Sequence, residues 1–148
     1  AVSDEVRVVV LDRVRSESAG GLVLGASLAP GPTGSVAWVH LPSVRRALGM
    51  NPGWSPWRLD HGERRTVGIA LGRVAAHEIV HVVAPDVPHG ADLMAERFSR
   101  DLLTGPALRL DRGVALAVCR ALAAGPGLEP ALANLEAGKV AVLALGPE

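Results

Sequence analysis

From Arg64 to Ala84 the chain reads RRTVGIALGRVAAHEIVHVVA, and the next residue is Pro85. No proline interrupts this stretch, and the one that follows it removes a backbone donor and disfavours helical geometry in the residue before. The stretch therefore reads as one largely apolar helix crossing the core and ending near Ala84. Gly68 and Gly72 weaken the helix slightly. Lying four residues apart, they share a face on which another element could pack closely.

Working outward toward the N-terminus, Val6 to Leu11 (VRVVVL) and Leu22 to Leu28 (LVLGASL) are short aliphatic runs with the pattern of strands. Ala29-Pro30-Gly31-Pro32-Thr33-Gly34 is dense in turn formers and is expected to be a loop. Ser35 to Leu41 (SVAWVHL) alternates as a third strand would, at an edge of the sheet. Ser43 to Leu48 reads as a short helix capped by Ser43 and stopped by Gly49, and Met50 to Gly62 as an ordered surface loop. Toward the C-terminus, Asp111 is a good N-cap for a helix from Arg112 to Ala124 that Gly125-Pro126-Gly127 closes. Lys139 to Leu145 (KVAVLAL) suits either a strand or a terminal helical turn.

A chain of 148 residues without an internal repeat is expected to form a single domain, residues 1–148, with an apolar core that needs no covalent staples. Lys plus Arg and Asp plus Glu both count 15, and neither sign is gathered into a block, so neither nucleic acid nor an anionic membrane is expected as a partner. Hydrophobic residues make up 49% of the chain, yet charged residues, His, Gly or Pro break the apolar runs before the ~20 residues that a membrane helix needs. The single cysteine, Cys119, excludes an internal disulfide and reads as a buried, inert thiol. No basic segment followed by an apolar core marks a secretory signal, and Ala1-Val2-Ser3-Asp4 suits a processed mature terminus, as after secretion, or an engineered one.

The chemistry lies in His77-Glu78-Ile79-Val80-His81, an HExxH sequence inside the expected helix. Residues four apart lie about 40° from each other around a helix, so both imidazoles reach one ion from the same side. Glu78, about 100° from His77, stands close enough to meet a water on that ion while staying out of the ligand set. A zinc site with three protein ligands keeps a position open and acidifies water there to a pKa of roughly 7, so Glu78 becomes a general base for hydrolysis. Chance places such a pattern in roughly one chain of this length in several hundred, and two buried histidines on an apolar helix are costly without a partner.

His89 is the expected third ligand. Pro85 and Pro88 turn the chain out of the helix and limit where His89 can point, and imidazole suits zinc well. Asp86 on the same turn and Glu96 further on compete for that place. His40 and His61 are read as solvent-facing and as a structural or exposed loop residue, and Trp54 and Trp57 as packing residues.

With Met94 five residues past His89, the segment HEIVHVVAPDVPHGADLM resembles the metzincin pattern, in which HExxHxxGxxH precedes a methionine-containing turn. Seven residues rather than five separate His81 from His89, and Ala84 stands where metzincins carry glycine. The spacing is similar to that of a group of short bacterial proteins assigned as metalloproteases, strongly over Ala76 to Met94 and weakly over Gly34 to Leu122. The resemblance implies an α/β (α+β) fold, a twisted sheet packed on the HExxH helix with a C-terminal helix following. It implies Met94 as a floor beneath the metal that does not bind it, and Ser35 to Leu41 as the edge strand that pairs with substrate. The chain has no tyrosine, which metzincins often supply from the methionine turn.

The expectation is a monomeric zinc peptidase holding one catalytic Zn2+ on His77, His81 and His89, with Glu78 as general base and a peptide or protein as substrate. The alternatives are a zinc-binding module without turnover and a helical interaction domain carrying HExxH by accident. An intact Glu78 favours turnover, because a closed structural site gives a base nothing to do.

Overall fold

The computed structural model describes residues 6–12, 23–31 and 34–123. The chain divides into two compact units, Ala1–Leu110 and Asp111–Glu148. The described residues form a mixed α+β structure of three strands and four α-helices.

In the first unit, β1 (Val6–Leu11), β2 (Gly25–Gly31) and β3 (Gly34–His40) form a sheet of order β1-β3-β2. β1 runs parallel to β3 and β2 antiparallel to it, so the sheet is mixed. β3 is therefore the central strand, which corrects the expectation that Ser35 to Leu41 forms an edge. Its alternation reflects burial, with Ser35, Ala37 and Val39 buried and Val36 and Trp38 half-buried. The edge nearest the HExxH helix is β2. This strand continues to Gly31, through the first half of the segment expected as a loop, and its pairing slips between Leu28 and Gly31. Proline is tolerated there because an edge strand needs no donor on its outer side.

α1 (Leu41–Ala47) follows β3 directly and starts two residues before Ser43. Pro42 occupies the first turn, where its missing N–H costs nothing, so Ser43 is not the cap. Gly49, at φ +76°, ends the helix as expected. α2 (His61–Val83) also begins earlier than its apolar pattern suggests. Asp60 accepts from the Glu63 N–H at 2.8 Å while the Glu63 carboxylate accepts from the Asp60 N–H at 2.9 Å, a reciprocal cap that places His61 in the first turn. By length and hydropathy α2 could cross a membrane; here Val67, Ala70, Val74, Val80 and Val82 are buried within the protein.

Val67, Ala70 and Val74 join Val39 of the sheet, Leu41, Val44 and Leu48 of the α1 region, Leu59, and Leu103 of α3 (Arg100–Thr104) in one core. Arg73 of α2 donates to the carbonyls of Leu102 (2.6 Å) and Gly105, tying the end of α3 to the central helix. Gly68 and Gly72 face open space among the described residues, so the close packing expected on that face is not seen. Trp54 and Trp57 are exposed, Trp57 at 88%, which overturns their reading as packing residues. His40, read as solvent-facing, is buried.

In the second unit, α4 (Arg112–Ala123) is capped as expected: Asp111 Oδ1 accepts from the Gly113 N–H at 2.7 Å. Cys119 is free and half-buried. Leu22, Gly125-Pro126-Gly127 and Lys139 to Leu145 lie outside the described residues.

Candidate metal centre

The site stands on the last turns of α2. His77 and Glu78 are buried and His81 half-buried, because the sheet covers this end of the helix on one side and the chain returning after Pro85 covers it on another. Ala84 ends the helix with its N–H on the Val80 carbonyl at 2.7 Å, and Val87 closes a turn onto the Ala84 carbonyl at 3.0 Å. That turn brings His89 back to the helix.

His77, His81 and His89 each offer a ring nitrogen within 4.8 Å of the others. The Nε2 atoms of His81 and His89 lie 3.1 Å apart. A tetrahedral zinc with Zn–N bonds of about 2.0–2.1 Å holds its ligand atoms about 3.3 Å apart, so this separation suits two ligands of one ion. The three rings pack against one another: His77 stacks on His89 at 5.3 Å, and His81 stands edge-on to both at 4.7 Å. Asp86 and Glu96 are exposed and stay outside the group.

His77 Nδ1 lies 2.8 Å from the Leu93 carbonyl oxygen. A carbonyl only accepts, so Nδ1 carries the proton and Nε2 keeps its lone pair for a metal, the arrangement typical of a ligating histidine. The carbonyl is held by the turn that follows His89. The Gly90 N–H donates to the Met94 carbonyl at 2.8 Å, the Leu93 N–H donates to the Arg109 carbonyl at 3.2 Å, and Asp92 takes φ +52°, which Asp tolerates better than most residues. Met94, 2% exposed, sits in this turn. The polar contact that the turn makes with the histidines comes from Leu93.

Burial pushes the pKa of His77 below its usual value, the Leu93 bond opposes this, and nearby His89 adds to it. His81 is lowered by burial and by the two neighbouring imidazoles. Both effects favour the neutral form that binds metal. Glu78 moves the other way. Burial raises its pKa, and a hydrogen bond from the Ser27 side chain partly offsets this.

Glu78 packs against β2, with Gly25 and Ser27 lining the same cleft of about 440 Å³ as Glu78 and the three histidines. A second cleft, of about 620 Å³, shares His77, Glu78 and His89 and is walled by Leu24, Ala47, Val74 and Phe98, with Glu96 and Arg97 beside them. Phe98 stands edge-on to His77 at 5.3 Å.

The structure thus brings together His77, Glu78, His81 and His89. His61 remains exposed on the first turn of α2. Gly25, Ser27, Phe98 and the Leu93 carbonyl were not singled out from the sequence. Only Gly25 left a signal there, an isolated glycine inside an aliphatic strand, which marks close approach of another group. No family model, no curated protein and no solved structure matches the chain.

Proposed function

We propose that this chain is a zinc-dependent peptidase in which His77, His81 and His89 hold the ion and Glu78 is the general base. The observation that carries the reading is the convergence of three ring nitrogens within 4.8 Å in a cleft that Glu78 also lines. A closed structural zinc site has four protein ligands. Among the described residues the group consists of three imidazoles, and beside them stands a carboxylate suited to proton transfer.

When bound, zinc supplies Lewis acidity, polarising a carbonyl oxygen and acidifying water to a pKa of about 7. The Glu78 carboxylate takes the proton of the attacking water and delivers it to the leaving amine nitrogen. Its burial raises its proton affinity toward the working range of such a base. His77, anchored through Nδ1 on Leu93, keeps its ring orientation during turnover. The second cleft, lined in about equal measure by apolar side chains and by charged or imidazole ones, offers room for a substrate side chain beside the reacting bond. The metzincin resemblance of HEIVHVVAPDVPHGADLM supports the same reading, with Met94 and Leu93 together in the turn after His89.

Elemental analysis and casein cleavage test this on wild type, His89→Ala and Glu78→Ala. The expected result is one zinc per chain in wild type, loss of zinc in His89→Ala, and retained zinc with abolished cleavage in Glu78→Ala. Zinc binding without cleavage of any unstructured substrate favours a metal-binding module instead, and absence of zinc overturns the metal site itself.

A further inference from the structure

We infer that Ser27 is a positioning residue for Glu78, its hydroxyl on the edge strand holding the carboxylate so that it faces the cleft of the three histidines. The consequence for turnover rests on the peptidase reading; the contact itself does not.

Gly25 and Ser27 are two residues apart on β2, so they share one face of the sheet. Gly25 shows which face: its hydrogen stands where a side chain would strike Glu78 Oε1 and Cγ. Ser27 is the next residue on that face, and its side chain lines the cleft beside Glu78, near enough to act on the carboxylate. In the contact inferred here the serine hydroxyl is the donor, since a carboxylate only accepts. Both residues line the same cleft as Glu78, His77, His81 and His89.

The contact matters because of what a glutamate lacks. Its terminal torsion is broad, so packing alone leaves the carboxylate plane poorly defined. Glu78 is only 7% exposed, which leaves little water to replace a lost partner. Ser27 is paired with Ala37 of the central strand, so its hydroxyl is carried by the sheet rather than by a loop. A base supported in this way keeps its geometry through the reaction.

Ser27→Ala and Ser27→Thr test the assignment in the full chain. With zinc bound and casein peptides as substrate, Ser27→Ala is expected to lower kcat at least tenfold while KM and zinc stoichiometry stay within twofold of wild type. Ser27→Thr, which keeps the hydroxyl and suits a strand, is expected to return kcat to within threefold. A second readout needs neither metal nor activity. The 13C resonance of the Glu78 carboxyl carbon, identified by its loss in Glu78→Gln and followed at one fixed pH in metal-free protein, should move in Ser27→Ala and stay in place in Ser27→Thr. An unmoved resonance in Ser27→Ala, an unchanged kcat, or a threonine variant as impaired as the alanine one overturns the assignment. If wild type cleaves no peptide, the peptidase reading falls, and the carboxyl resonance still decides whether Ser27 holds Glu78.

Discussion

A Cβ placed on Gly25 would stand 2.7 Å from Glu78 Oε1 and 2.9 Å from both Glu78 Cγ and the Trp38 carbonyl oxygen. The backbone oxygen cannot yield without disturbing the central strand, so the glutamate must move. Gly25→Ala is expected to lower kcat at least a hundredfold while leaving one zinc per chain, because the atoms nearest the new methyl belong to Glu78 and the Trp38 backbone rather than to a histidine. The overpacking should also cost about 1–3 kcal/mol in urea unfolding. Near-normal turnover in this variant would show that Glu78 does not need its present position.

On the proposed function, metal should stabilise the fold, since one ion held by His81 on α2 and His89 beyond Pro85 would join them. At free zinc about a thousandfold above Kd, binding to the folded state alone adds about 4 kcal/mol. That corresponds to a rise in Tm of about 10 °C for a domain of this size. Calorimetry with and without zinc should show this rise in wild type and Glu78→Ala, and little of it in His89→Ala. Equal melting with and without zinc in wild type would contradict the site.

Without metal, pH should act through the same histidines. His77 and His81 have folded pKa values below the ordinary 6.5, so the unfolded chain binds more protons as pH falls. Their contribution to stability is present above about 6.5 and is lost as pH drops through that value toward the folded ones. Glu78 works in the opposite sense, its folded value lying above 4.5, so its contribution is present below 4.5 and lost as pH rises through the folded value. Glu78→Gln removes this opposing effect. Metal-free Glu78→Gln should therefore melt at a lower temperature at pH 5 than at pH 7.5, and a flat profile would mean that the histidines are not held neutral by the fold.

The start of α2 can be tested separately from the site. Asp60→Ala removes the acceptor for the Glu63 N–H and should cost about 1 kcal/mol in urea unfolding, with zinc content unchanged. Loss of zinc in this variant would mean that the first turn of α2 governs the geometry of its last.

The parts of the site that were legible in the sequence are those that local geometry dictates. A helix of 3.6 residues per turn puts His77 and His81 on one side whatever surrounds it, and Pro85 ends the helix by covalent constraint. The place of His89 beside the other two histidines follows from the short turn between Pro85 and Pro88, and the structure puts it 3.1 Å from His81. The reciprocal cap of Asp60 and Glu63 was present as D-x-x-E but lay outside the apolar pattern, so the helix reads three residues short at its start.

What only the tertiary structure decided is every relationship between elements distant in sequence. Alternation in Ser35 to Leu41 announces a strand, yet central and edge strands can share that pattern, and the order β1-β3-β2 depends on which partners pair on either side. Glu78 meets Gly25 and Ser27 across about fifty residues, and His77 finds the Leu93 carbonyl through a turn held partly by Arg109. The sequence by itself determined a helix presenting two histidines and a glutamate, because short-range periodicity and proline sterics suffice for that. The sheet edge that supports the glutamate and the carbonyl that orients the first histidine were decided by packing, which no local pattern encodes.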